Sequence, residues 1–352
     1  MFLKRLYLKN FRNFQEARVS FGPKINLIQG PNGQGKTNLL EAIFFLSTGK
    51  SFRTPSLTDL ICHKESYFYL EAEFVRDHLS QTLKVYFDGK ERKIHYNNTL
   101  YQSFANLLGL MPAVLFAPED ISLIIGSPLE RRRFLNVHIA QTDPLYVHHL
   151  VRYTNAMRQR NQLLKKQTDT AMNVWEEIMA VSAAYLILKR QEAVLDLISP
   201  LKAHMNELSQ AQDSLKLTYL PSFIKEENLV DALRYQFQKL RRREMQLGST
   251  LTGPHRDDLL IHISEQLAKT YASEGQKRSC ISAIRFAEWE RLQTITAIQP
   301  IMCVDDVGVH LDTVRQSLFQ GKLQPLGQVF LTSPFDLSIE AHKLLILNGN
   351  IS

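Results

Sequence analysis

One stretch constrains the fold more than any other: INLIQGPNGQGKTNLLEAIFFL, residues 25–46. An apolar run of strand length enters a glycine-rich turn, Gly30-Pro31-Asn32-Gly33-Gln34-Gly35-Lys36-Thr37, and leaves it in a segment of helical period. The octet is a full match to GxxxxGK[ST], in the strand-then-helix context that gives the motif its meaning. Glycines at 33 and 35 let the backbone wrap so that N–H groups converge on phosphate oxygens. The same pattern aims the Lys36 ammonium at the β- and γ-phosphates and offers the Thr37 hydroxyl to Mg²⁺. These eight residues are the expected nucleotide-binding set.

Such a loop needs a carboxylate from a neighbouring strand to hold the metal. PIMCVDD, residues 300–306, is a short, wholly apolar run that ends in consecutive acids. Asp305 at the strand end is the expected Mg²⁺ ligand, directly or through water. Asp306, one residue on, points elsewhere and is the candidate to orient or deprotonate the attacking water. With Lys36, it completes the expected catalytic pair. GQVFLTS and HKLLILNGN, like PIMCVDD, read as central parallel strands buried on both faces. Near the N-terminus, FLKRLYL, YFYLEAEFV, TLKVYFD and KIHYN read as further strands.

Between these halves lies a different kind of sequence. From Ser127 to Leu247 there is no glycine, and Pro144 and Pro200 bracket a span free of both Gly and Pro. Long helices need that, since interior Gly and Pro cost roughly 1 and 3 kcal/mol. The expected architecture is therefore α/β: residues 1–126 as the first half of a nucleotide-binding head, 127–247 as an inserted, mostly helical arm, and 248–352 as the second half. The insert carries 18 Lys/Arg against 13 Asp/Glu, so it holds +5 of the chain's formal +7. Arg131-Arg132-Arg133, Lys165-Lys166 and Lys239 with Arg241-Arg242-Arg243 are its basic clusters. Each is read either as solvated helix faces or, together, as a surface for a phosphate backbone, binding with little sequence preference and strong salt dependence.

The segment KTYASEGQKRSCISAI, residues 269–284, sets Ser273, Glu274, Gly275 and Gln276 before a helical run. Ser273 and Gln276 fit a capping box. In the order P-loop, insert, SxGQ and acid-ended strand, the chain resembles an ABC-type ATPase head. In that superfamily the signature serine and glycine N–H bind the γ-phosphate of ATP held by a second subunit. That resemblance assigns Ser273, Gly275 and Gln276 to the partner's nucleotide. LKNFRNF (8–14), STGKSFRT (47–54), LFAPEDISLIIGSPLERRRFLN (115–136) and TGPHRDDL (252–259) narrow it further. With them, nearly the whole chain resembles the RecF family of recombination-repair ATPases.

The resemblance implies a compact head related to those of SMC proteins, with a short helical arm in place of a long coiled coil. It further implies ATP-dependent homodimerisation, slow ATP hydrolysis and binding to double-stranded and gapped DNA, including single-strand/double-strand junctions. Work with RecO and RecR in loading RecA follows from the same resemblance. Two departures stand out. Val309 and His310 occupy positions where the family has Ser and Glu, which bears on hydrolysis. Thr332 stands where many ABC ATPases have His, and it takes the role of γ-phosphate sensor here. The segment GPHRDDL reads either as an internal pairing of His255 and Arg256 with Asp257 and Asp258, or as part of a nucleotide or DNA face.

Bulk properties set outer bounds. Hydrophobic content of 44% with 22% charged residues belongs to a globular chain with a substantial core. Three scattered cysteines without CxxC spacing argue against disulfides and zinc and fit a reducing, cytoplasmic setting. No signal-peptide pattern or long apolar span is expected. A P-loop small-molecule kinase and a transporter-energising ABC subunit are the rival readings. The SxGQ element and the long insert weigh against the first; the missing switch His and the arm weigh against the second.

Overall fold

The computed structural model describes residues 1–223, 228–306, 313–337, 339–347 and 349–352. The chain opens in a six-stranded antiparallel sheet. Its strands are β1 (Phe2–Phe11), β2 (Phe14–Ser20), β4 (Phe68–Arg76), β5 (Leu79–Phe87), β6 (Arg92–Tyr96) and β7 (Thr99–Tyr101), in the order β2-β1-β4-β5-β6-β7. Along β4 burial alternates strictly, with Phe68, Leu70, Ala72 and Phe74 inward, as a sheet solvated on one face requires.

The second sheet carries the site. Between β2 and β4 the chain threads β3 (Ile25–Gln29) and helix α1 (Lys36–Thr48). β8 (Ala113–Phe116), β12 (Ile301–Val304), β13 (Val329–Ser333), β14 (His342–Leu347) and β15 (Asn350–Ile351) join β3 in the order β15-β14-β3-β13-β12-β8. β14, β3, β13, β12 and β8 are parallel. Two of the three apolar runs expected to be central strands buried on both faces are so: all four residues of β12 and all five of β13 are buried. The third, HKLLILNGN, differs: β14 runs parallel to β3 but alternates, with Leu344 and Ile346 inward and His342, Lys343, Leu345 and Leu347 exposed, because one face of the sheet is solvated there. α1 lies between the two sheets and is buried over most of its surface, which explains why its sequence is apolar nearly all round.

From the one-turn α2 (Ser122–Ile125) the chain runs through α3 (Pro128–Ala140), α4 (Pro144–Lys165) and α5 (Met172–Leu208). Strand β9 (Leu215–Leu220) and α6 (Leu229–Leu247) follow. β9 pairs with β10 (Asp258–Ile263), which also pairs with β11 (Gln266–Leu267). A one-turn α7 (Ala268–Tyr271) leads into α8 (Glu274–Thr296), and α9 (Thr313–Leu323) follows β12. The basic, glycine-free stretch is thus helical apart from one strand. Pro200 does not end a helix as expected: it sits inside α5, which runs on to Leu208.

Two apolar clusters make the core. One joins both sheets around α1; the other runs from Leu27 and Val304 through α8 into α3, α4, α5 and α6. Trp289 of α8 is buried and donates from Nε1 to the Pro300 carbonyl at 2.8 Å. Between α8 and its neighbours runs a chain of buried charge. Arg285 makes a two-pronged bond to Asp120 (3.0 and 2.5 Å) and a 2.6 Å bond to Glu288. Glu288 faces His138 of α3 at 3.5 Å, and Arg291 reaches Asp196 of α5 at 3.0 Å. No helix among the described residues is long and apolar enough to cross a membrane.

Candidate phosphate and metal site

The carboxyl ends of β3, β12 and β13 open on one crevice, the usual place for a ligand in a parallel sheet. The loop after β3 approaches its surroundings so closely that side chains are excluded. A Cβ on Gly30 (φ 147°) would stand 2.3 Å from the Ile346 carbonyl oxygen; one on Gly35 (φ 117°) would stand 2.7 Å from the Asn13 amide. Pro31, Asn32 and Gly33 form the exposed crest, with Gln34 half-buried behind them.

Lys36 folds back into this loop. Its ammonium donates to the Gly30 carbonyl at 2.7 Å and the Pro31 carbonyl at 3.0 Å, with Asn32 Oδ1 at 3.5 Å. The side chain is buried, and among the described residues its ammonium bonds only neutral acceptors. A phosphate entering the loop meets a cation already centred on it. Thr37 Oγ1 lies 3.0 Å from both oxygens of Asp305, donating to that carboxylate. Asp305 in turn accepts from Thr332 Oγ1 at 2.6 Å, and the Asp306 N–H donates to the same Thr332 oxygen at 2.8 Å. Burial pushes the Asp305 carboxyl above its ordinary range, while the Thr332 and Thr37 hydroxyls pull it back.

A buried carboxylate with two hydroxyls and no cation is a set of hard oxygen donors short of positive charge. That set suits Mg²⁺ better than any softer metal. The residues expected to hold the metal, Thr37 and Asp305, are therefore in contact although 268 positions apart. Asp306 sits beside them, half-buried, with its backbone at φ 50°.

Two supporting residues, Asn13 and Arg12, escaped the reading of the sequence, as did the support that Thr332, read there as the γ-phosphate sensor, gives to Asp305. Asn13, in the turn between β1 and β2, donates to the Gln34 carbonyl at 2.9 Å and accepts from Asn38 at 2.7 Å, clamping loop to helix. Arg12 makes a two-pronged bond (2.8 and 2.7 Å) to Glu41, which is fully buried in α1 and also accepts from Ser51. Thr332 organises Asp305 from the next strand. Arg12 and Asn13 lie inside LKNFRNF, so the motif was visible and its partners were not.

Ser273, Gly275 and Gln276 lie apart from this crevice as far as bonding goes. Ser273 caps α8: its hydroxyl accepts from the Gln276 N–H at 3.2 Å, and the Gln276 amide oxygen accepts from the Ser273 N–H at 2.9 Å. Gln276 also donates to Asp213 at 2.8 Å. Ser273 is exposed and Gly275 half-buried at the free N-terminal end of a 23-residue helix. The departures at Val309 and His310 lie outside the described residues.

GPHRDDL is an internal junction, but with partners other than those expected. Asp258 takes a two-pronged bond from Arg131 (2.7 and 3.0 Å). Asp257 is fully buried and takes Arg190 at 3.1 Å, the Ser222 N–H at 2.8 Å and the Tyr219 hydroxyl. His255 sits between the Tyr153 hydroxyl (2.6 Å) and the Thr250 carbonyl (3.0 Å), and burial lowers its pKa to about 4.

The basic clusters divide in the same way. Arg131 is buried, Arg132 and Arg133 bond the Asp257 and Ser51 carbonyls, and Arg241 is paired with Glu176. Lys165, Lys166, Lys239, Arg242 and Arg243 stand exposed.

Known proteins share this arrangement. The RecF/RecN/SMC N-terminal domain profile matches residues 2–342. The chain is 46% identical over 337 residues to the DNA replication and repair protein RecF of Protochlamydia amoebophila, covering 95% of this chain and 94% of that one. It is 39% identical over 354 residues to the protein of the same name from Chlamydia caviae, covering 97% and 95%. Among solved structures, the recombination mediator protein RecF with ATP superposes with a TM-score of 0.93 at 30% identity, covering 100% of this chain and 97% of that one. An SMC head from Pyrococcus furiosus shares the fold, with a TM-score of 0.52 at 15% identity.

Proposed function

Because the chain belongs to the RecF family, we propose that it is an ATP-gated DNA-binding protein of recombinational repair, closing in pairs around two nucleotides. Membership sets aside the kinase and transporter readings. The observation that carries the proposal is the meeting of Lys36, Thr37 and Asp305 at the carboxyl ends of parallel strands. ATP is the matching ligand. Its phosphates would take the loop N–H groups and the Lys36 ammonium, while Thr37 and Asp305 would hold Mg²⁺, which would supply charge neutralisation for the phosphates.

Ser273 is exposed and Gly275 half-buried at a helix N-terminus, where N–H groups and the helix dipole favour an anion. We assign them, with Gln276, to the nucleotide of the second subunit. The capping box does not compete with that role: Ser273 Oγ accepts within the box, and its own hydroxyl hydrogen stays available. Asp306 is assigned to the attacking water. DNA, double-stranded or at junctions, is the expected polymer, met by the exposed cations of residues 127–247. RecO and RecR are the expected partners in loading RecA, and the cytoplasm is the expected setting.

The test is sedimentation with and without ATP and a short duplex, with Lys36→Ala as control. ATP should convert wild type to a dimer and raise its DNA affinity, and Lys36→Ala should do neither. A wild-type protein that stays monomeric at saturating ATP, with unchanged DNA affinity, refutes the proposal.

A further inference from the structure

A cleft of about 820 Å³ lies where the far end of α1 meets α3 and α4. Five cations line it. Arg190 is paired with Asp257, and the other four come from three parts of the chain: Lys50 just past α1, Arg92 at the start of β6, and Arg132 and Arg133 on α3. None of these four makes an ion pair with a carboxylate among the described residues. Arg132 and Arg133 each spend an N–H on a backbone carbonyl, at 2.7 and 3.0 Å, and Arg92 stands over the Phe104 ring. The nearby acids are already taken, Asp257 by Arg190 and Asp258 by Arg131. That leaves Glu130 as the one carboxylate in the lining, against five cations, four of them without an acidic partner among the described residues.

Crowding shows in their proton affinity. Desolvation by the cleft walls and the neighbouring Arg133 lower that of Lys50; desolvation and Arg190 lower that of Arg132. A concave wall lined by one sign of charge focuses the field and concentrates counter-ions. Part of the lining is apolar and aromatic: Leu150, Tyr153 and Met157 follow one face of α4 at helical spacing.

Cations together with an apolar wall are the two halves of nucleotide recognition, and the volume lies within the range of small-molecule sites. We propose that this cleft is a second phosphate site, separate from the P-loop, for a single nucleotide unit. Its phosphate oxygens lie on Lys50, Arg92, Arg132 and Arg133, and its base lies against α4. The 13 residues of α1 hold the two sites ~20 Å apart, so one ligand phosphate does not reach both. The unit arrives either as a free nucleotide or as the phosphorylated end of a strand.

The test uses the full chain carrying Lys36→Ala, which silences the P-loop. The probes are adenosine monophosphate, a 5′-phosphorylated oligothymidylate and its 5′-hydroxyl counterpart, followed by calorimetry. At least one phosphate-bearing probe should bind saturably. Its affinity should fall roughly tenfold or more when Lys50→Gln and Arg92→Gln remove two charge-assisted bonds. It should rise in Glu130→Gln and stay unchanged in Lys84→Gln, on β5 and outside the cleft lining. Tighter binding of the monophosphate identifies a free nucleotide; tighter binding of the phosphorylated strand identifies a strand end.

The proposal is overturned if neither phosphate probe saturates. It is also overturned if affinity is indifferent to both the Lys50/Arg92 pair and Glu130. Because the removed charges repel their neighbours, thermal midpoints of the Gln variants should not fall, which separates lost binding from lost folding. ATP-driven dimerisation of wild type is read separately and does not bear on the result.

Discussion

Thr332→Val is the sharpest probe of the site. Valine nearly matches threonine in volume, so the fully buried position opens no cavity, and the change is confined to one hydroxyl. That hydroxyl donates to Asp305 at 2.6 Å and accepts from the Asp306 N–H at 2.8 Å. A hydrogen bond to a charged group contributes about 1.5–3 kcal/mol, and an orphaned buried N–H costs about 1–3 kcal/mol. Some relaxation is expected, so unfolding stability at neutral pH should drop by about 2–4 kcal/mol.

The pH dependence carries the diagnosis. Burial already raises the Asp305 carboxyl, so its ionised form opposes folding, and stability is lost as pH rises from the unfolded carboxylate value through the folded one. Removing a bond that stabilises the carboxylate widens that loss. The difference between variant and wild type should therefore be largest above pH 7 and shrink toward pH 4, where a protonated carboxyl asks less of its neighbour. Urea denaturation at several pH values measures this, and Mg²⁺-ATP titration over the same range should show the variant's affinity falling earlier on acidification. A stability difference below 1 kcal/mol that is flat in pH would refute the assignment of Thr332 as the support of Asp305.

Asn13→Ala should weaken ATP binding by up to about tenfold, the cost of one clamp bond at the loop, with little change in thermal midpoint. Arg241→Ala should destabilise by about 1–3 kcal/mol, since it strips a fully buried Glu176 of one partner. Arg242→Ala should stay within about 0.5 kcal/mol and lower the salt slope of DNA binding by about one; an unchanged slope across Arg242 and Arg243 variants would move the DNA surface elsewhere. His255 has its pKa lowered to about 4, so the neutral ring favours the folded state. Stability should fall by about 3 kcal/mol as pH drops from ~6.5 to ~4, and His255→Gln should flatten that limb of the profile.

The parts of this molecule legible in the sequence are those written in local spacing. GPNGQGKT fixes its own turn, PIMCVDD and GQVFLTS are apolar because both faces of their sheet are covered, and the Ser273–Gln276 box closes over three residues. What stayed hidden depends on partners far along the chain. Arg160 counts toward the basic insert, yet it is fully buried between Glu176 and Glu244 at 3.0 and 2.6 Å. Arg131 and Asp258 are 127 positions apart, so neither the charge run nor GPHRDDL could reveal that each neutralises the other. Pro200 misled for another reason: propensity charges it as a breaker, but α5 is packed along its length, and burial outweighs one lost backbone bond.

The ionic chain along α8 turns that helix into a lever. Arg291, gripped by Asp196 of α5, stands 18 residues from Ser273, about 27 Å along a rigid rod. Arg285, fastened to Asp120, forms an intermediate pivot. A tilt of only a few degrees, imposed where α5 meets whatever it touches, swings the serine tip by about 2 Å. In the proposed pair, displacement of that size would make or break a phosphate contact, which would give events on α5 a mechanical route to the partner's nucleotide without any rearrangement of the sheets.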